Sequence, residues 1–411
     1  MIKKKGETKK MLDLIGSLVA QDTATRLIID VALYFGLFVI VAMALNFQYG
    51  NAGVPNFGCA VQVIVGGFTV SAITTRLTFA IVQQAGIALR PYSSDYDWVY
   101  NNFWNVDVIA NSYISDKPFL GISLLLFSLA TALVLGAVMG WLIAVPAIRL
   151  RATYLMITLI TMADASQIVG RNIVGISGGT LGMFVPNVFE WYPGDRGVIT
   201  AVITLAIGLV SFFIFRTMLN SPYGRLMRAI RENEITVGSV GKNVVGIRRN
   251  ILMFASGITA LSGVLLAFYF SYVIEANYQR AFWTYWPWLM LMVGGPGNNA
   301  GTFLGCALVT VMRRAIIQYK WFFDVFLFFP VAYLEDILLG TLLIVFLIFR
   351  PSGIIPEKLL YIPGVNYGKM VREEVKVDWR SAPKAGEGKG KGRFGLRRKK
   401  EEGETKKEGE T

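Results

Sequence analysis

Eight long apolar runs leave this chain few ways to fold. They lie at about 27–47, 54–81, 119–145, 152–170, 197–219, 249–271, 287–312 and 325–349. Each is near or above the roughly 20 residues that an α-helix needs to cross the hydrocarbon layer of a membrane. A helix on a soluble protein keeps a polar stripe, and runs such as Phe119–Val145 have none. In lipid the backbone must satisfy its own hydrogen bonds, so long apolar runs become helices. The expected fold is all-α, a polytopic membrane helical bundle. Composition agrees: 54% of the 411 residues are hydrophobic and 16% are charged. Such a chain has many crossings rather than several soluble cores.

What is missing narrows the chemistry. The chain has no histidine, which removes His-based catalysis and His metal ligands. Its two cysteines, Cys59 and Cys306, both fall inside apolar runs and read as small buried thiols. No metal site and no cofactor is expected. Residues 1–26 do not read as a cleavable signal, because polar residues follow the basic stretch and the first apolar run has no cleavage pattern.

The net charge of +13 flanks the spans instead of marking a nucleic-acid surface. Basic charge collects in 1–26, at Arg149 and Arg151, in 220–250 and beyond Arg350, and these are expected in the cytoplasm. The stretches 82–118, 171–196 and 272–286 are poor in basic residues and are expected outside. Three parts follow: a cytoplasmic N-terminal segment 1–26, a transmembrane domain 27–356 with a loop at 220–248, and a basic, disordered cytoplasmic tail 357–411. Both termini would be cytoplasmic.

This assignment raises a parity problem. Two runs separate residue 26 from residue 82, and two more separate 286 from 350, where odd numbers are required. One segment in each place should be broken or re-entrant. Asn46–Gly58 and Gly294–Gly305 are dense in glycine and asparagine and are the expected breaks. They share a pattern, Asn51-Ala52-Gly53 before Gly58-Cys59-Ala60 and Asn299-Ala300-Gly301 before Gly305-Cys306-Ala307, which suggests an inverted repeat with broken helices at the midplane. The solute-path candidates are therefore Asn51, Gly53, Asn56, Asn298, Asn299 and Gly301. Asparagine can bond a zwitterion and glycine lets a backbone amide approach, although the same glycines also suit close helix packing. Asp164 joins them as an ionisable group inside an apolar span. Arg76 can snorkel and is given no role.

The loop 220–248 holds the most specific signal. Ser221 and Pro222 are a helix start, Leu226, Ala229, Ile230 and Val237 recur at helical spacing, and Gly241 is a stop. The result is an amphipathic helix between two spans, lying either on lipid or in the groove of a soluble partner. The run Gly386–Lys391 lacks the spacing of a phosphate loop, so the chain carries no ATP site of its own.

Ser221-Pro222-Tyr223-Gly224-Arg225, then Arg228-Ala229-Ile230-Arg231-Glu232-Asn233-Glu234 and Gly241, resembles the coupling loop of permeases from branched-chain amino acid ABC transporters. Leu45-Asn46 through Gly50, Gly53, Gly58 and Ala60 resembles that family's first glycine-rich signature. Further matches are Arg149–Tyr154, Arg171-Asn172, Ser177-Gly178-Gly179, Gly294-Gly295-Pro296-Gly297 and Phe349-Arg350-Pro351-Ser352-Gly353. The resemblance covers about 27–356. Cys59 stands where histidine is common and Ala152 where glycine is common, and the loop 82–118 and the tail are longer than usual.

The resemblance implies a multi-pass permease subunit in a prokaryotic cell membrane, without enzymatic activity. Its partners would be separate ATP-binding subunits, a second permease subunit and an external solute-binding protein that delivers branched-chain or related amino acids. Arg228, Arg231, Glu232, Glu234 and Gly241 would then meet the ATP-binding subunit. The competing readings are an ion-coupled secondary transporter, which would need more intramembrane acids than Asp164, and an intramembrane enzyme, which the lack of histidine disfavours.

Overall fold

The computed structural model describes residues 25–319, 331–350 and 352–357. The tail 358–411 and residues 1–24 of the N-terminal segment lie outside the described residues. The described part is a bundle of helices. The spans are α1 (Thr25–Asn51), α2 (Cys59–Gln84), α3 (Pro118–Arg149), α4 (Ala152–Asn172) and α5 (Arg196–Asn220). Two short helices follow, α6 (Pro222–Glu232) and α7 (Glu234–Ser239). Then come α8 (Val244–Phe270), the short α9 (Trp286–Gly294), α10 (Asn299–Gln318) and α11 (Val331–Phe349). Seven of these are long and apolar enough to cross a membrane, among the described residues.

Side-chain contacts fix the directions. Tyr269 near the end of α8 donates to Asp30 near the start of α1 at 2.9 Å. The tilted rings of Phe47 and Phe215 lie 5.1 Å apart, and Gly36 lies against Thr204, so α1 and α5 run side by side in one direction. Gly136 and Gly140 of α3 face Ala260 and Leu252 of α8 in the opposite sense. A two-residue ribbon, Met183–Phe184 with Tyr272–Val273, closes one end of the bundle. The stretch 82–118 folds over that end, where Trp98 and Val106 pack with Phe79 and Met183. The other end carries α6 and α7.

Glycine sets how closely the central helices approach. A Cβ on Gly66 of α2 would lie 1.9 Å from the Ala260 carbonyl oxygen of α8, and one on Gly263 would lie 2.0 Å from that of Val63. Helix association in lipid relies on such close packing, because tails and side chains are equally apolar. Cys59 and Cys306 are buried and free.

Two expectations change. The run 287–312 breaks within Gly294–Gly305, as expected. It is the hairpin α9–α10, which turns at Gly295, Pro296 and Gly297, with φ of +112° and +84° at the two glycines. The first break, at 52–58, likewise turns the chain back after α1. Both hairpins descend from and return to the same end, so they are not inverted relative to one another. Finally, α1 starts at the end opposite α6, because its first turns meet Tyr269 and Gly197 while its last turn meets the α6 region. An even number of spans separates residue 25 from 82, which puts both on one face. The charge-based grouping of residue 26 with the 220–248 loop does not follow from the helix directions.

Candidate functional site

The site forms where the two breaks meet a third element. The last turn of α1, Asn46–Asn51, is a π-helical turn with Asn46, Gln48 and Asn51 buried. Asn46 uses both ends of its amide. Its Nδ2 donates to Asn299 Oδ1 at 2.9 Å, and its Oδ1 accepts from the Gly297 N–H at 2.8 Å. Asn51 Nδ2 donates back to the Asn46 carbonyl at 3.1 Å. On the second hairpin, Asn298 caps α10 by accepting from the Ala300 N–H at 3.0 Å.

The third element comes from the amphipathic loop. Ser221 caps α6 and Pro222 fills its first turn, as the sequence requires. The expected single helix to Gly241 is two helices, because Asn233 is extended (φ −154°) and its side chain caps α7 by accepting from the Thr236 N–H at 3.0 Å. Ile230, Val237 and Val244 pack together under Leu226 and Ile247, which anchors the connection to the bundle. Its tip is open: the Glu232 side chain is 71% exposed, and Ile235 is 81% exposed.

Arg231 joins this connection to the breaks. Its guanidinium donates to the Gly50 carbonyl and pairs with Glu357 at 2.8 Å and Glu232 at 3.0 Å. Burial opposes its charge, yet the two carboxylates outweigh burial and hold its pKa above the ordinary arginine value. The backbone is tight here. A Cβ on Gly53 (φ +71°) would lie 3.0 Å from Arg231 Cγ. Beside the junction is a cavity of about 380 Å³ whose polar wall includes Asn51, Arg216, Arg228, Asn298, Asn299 and Glu357. A second cavity of about 330 Å³ is apolar and is lined by Tyr49, Phe57, Met156, Trp288 and Leu343 among others.

The structure divides the expected solute residues. Asn51, Asn298 and Asn299 line the polar cavity, and Gly53 sits under Arg231. Asn56 is buried and shapes the first break, donating to Gln48 Oε1 at 2.7 Å and accepting from the Gly58 N–H at 2.8 Å. Gly301 packs against Gly294, where a Cβ would lie 2.4 Å from the carbonyl oxygen. Asp164 is elsewhere, on α4, paired with Arg280. Both breaks lie at the α6 end of the bundle, not half-way along it, because Arg231 touches one and Glu357 faces Gly297 of the other.

The expected coupling residues divide too. Arg228 points back to the Leu219 carbonyl at 3.3 Å, and Arg231 points inward. Glu232 is outermost, Glu234 pairs with Arg248 at 2.8 Å while half exposed, and Gly241 (φ +78°) has open space around it. Sequence reasoning passed over Asn46 and Glu357 as site residues. A buried asparagine closing an apolar run was a usable signal for Asn46. Glu357 falls one residue past the expected domain boundary.

Residues 27–347 match the model of a family described as the permease component of branched-chain amino acid transport systems. The probable branched-chain amino acid transport permease protein LivM of Methanocaldococcus jannaschii is 34% identical, over 82% of this chain and 95% of that protein. The high-affinity branched-chain amino acid transport system permease proteins LivM of Salmonella typhimurium and Escherichia coli are each 23% identical, over 54% of this chain and 55% of theirs. No solved structure matches the chain significantly.

Proposed function

This chain belongs to the branched-chain amino acid transport permease family, and on that premise we propose that it is the membrane-spanning subunit of an ATP-driven importer. The solutes would be branched-chain or related amino acids handed over by an external binding protein. A second permease chain would complete the pathway, and ATP would be hydrolysed on separate subunits.

The observation that carries this reading is the Arg231 junction. A mobile gate driven by a soluble motor needs an exposed handle and a stiff link from it to the moving part. The tip of α6–α7 is the handle: Glu232, Glu234, Ile235 and Gly241 face outward with both polar and apolar character. Complementary charge on the motor would set the register of such a contact. The link is α6, held by its apolar face and tied through Arg231 to Gly50 and Glu357. Motion of the tip would therefore reach both breaks together. We assign the α6 end to the cytoplasm, since Arg225, Arg228, Lys242 and Arg249 cluster there. Asn51, Asn298 and Asn299 would line the inner mouth of the pathway, with Gly53 letting the backbone pass close under Arg231.

The test uses the complete transporter in proteoliposomes, with Arg231→Ala as the variant. The expected result is ATP hydrolysis that continues while leucine uptake falls by about tenfold or more, as loss of a part-buried charged pair predicts. Uptake by the unaltered transporter that follows an ion gradient and ignores ATP would favour a secondary transporter and contradict the proposal.

A further inference from the structure

The spans differ in how well their uncovered faces suit lipid. α3 and α5 have only 28% and 33% of their most apolar stretch buried, and both are among the most apolar spans. Such helices are at home against hydrocarbon. α4 breaks the pattern. It is the least buried span, at 17%, and also the least apolar of the seven. Thr158, Thr161 and Asp164 recur along it at three-residue spacing. Asp164 lies 12 residues from Ala152, about 18 Å along the axis, which is mid-depth for a helix of this length. Its side chain is 41% exposed and its partner Arg280 is 40% exposed. Arg280 makes no other side-chain hydrogen bond among the described residues. A half-open ion pair at that depth is expensive against lipid, and groups of this kind face water or protein.

We propose that α4 lines the solute pathway and that Asp164 and Arg280 form a station for a zwitterionic α-amino acid. The pair carries the two charges that the solute carries in reverse. When it opens, the Arg280 fork takes the carboxylate in two parallel bonds and Asp164 takes the ammonium. One ion pair is exchanged for two, which offsets the solute's lost hydration. Eight residues back along α4, Met156 reaches the apolar cavity with Phe57 and Trp288, room for an aliphatic side chain on its way toward the α6 end. The inference rests on the importer reading and adds the ligand chemistry to it.

The experiment uses the complete transporter with its binding protein and ATP-binding subunits. Thr161→Cys is compared with Val202→Cys on α5, where Val202 is 59% exposed, using a charged methanethiosulfonate reagent; the native thiols are buried. The expected result is that Thr161→Cys reacts about tenfold faster or more, as a thiol in water should, and that leucine with the binding protein slows it. Equal, slow labelling of both in the resting, ATP-bound and vanadate-trapped states would overturn a water-filled path along α4. Arg280→Gln should cut leucine uptake by about tenfold with ATP hydrolysis retained, and Arg280→Lys should recover part of it. Full recovery by the exchanged pair, Asp164→Arg with Arg280→Asp, would show a purely structural bond and overturn the station. Absence of ATP-dependent uptake in the unaltered transporter would sink the importer reading, and the labelling would still decide the path.

Discussion

Asn46 and Gly50 show how single atoms hold the junction. Removing the Asn46 amide would leave the Gly297 N–H and Asn299 Oδ1, both part-buried, without their partner, at about 1–3 kcal/mol if neither finds another. Gly50 is tighter. A Cβ there would sit 2.2 Å from Asn46 Oδ1 and 2.5 Å from the Gly297 nitrogen, so both hairpin tips must separate. Gly50→Ala should therefore lower the melting temperature of the detergent-solubilised transporter more than Asn46→Ala does. An equal or smaller effect would mean that the tips are looser than their contacts imply. The sequence pointed to Arg231 but not to its direction. Its inward turn depends on the Gly50 carbonyl, 181 residues away in the chain, and no local pattern carries that information.

At the scale of elements, the spans were legible because hydrocarbon imposes length and apolarity residue by residue. The turn between α9 and α10 was legible as well, since a Gly-Gly-Pro-Gly run has no other ready use. The split between α6 and α7 was not, because apolar spacing continues through Asn233 and only its extended backbone interrupts the helix. Close helix packing is the other feature that pattern alone leaves open. Gly66 meets the Ala260 carbonyl where a Cβ would be 1.9 Å away, so Gly66→Ala must push α2 from α8. Overpacking of this kind costs about 1–3 kcal/mol. The variant should unfold at lower temperature, and Ala at Gly238, which has open space around it, should not. Comparable losses at both positions would contradict the packing account.

For the whole molecule, charge counting and helix direction disagree on the N-terminal face, and the contacts explain why. Positive charge biases orientation statistically. A break that returns the chain changes parity without changing composition. The α1–α2 and α9–α10 hairpins meet tip to tip at one end, through Asn46, Asn299 and Gly297, and the α6–α7 connection clasps that seam through Arg231. Coupling of the kind proposed requires this clasp to face the cytosol and carry a motor. The direct measurement is side-specific labelling of Ile235→Cys in oriented membrane vesicles, with and without the ATP-binding subunits. Reaction from the cytoplasmic face only, suppressed when those subunits are bound, is the predicted result. Reaction from the exterior, or from the cytoplasmic face at a rate the subunits do not change, would contradict it.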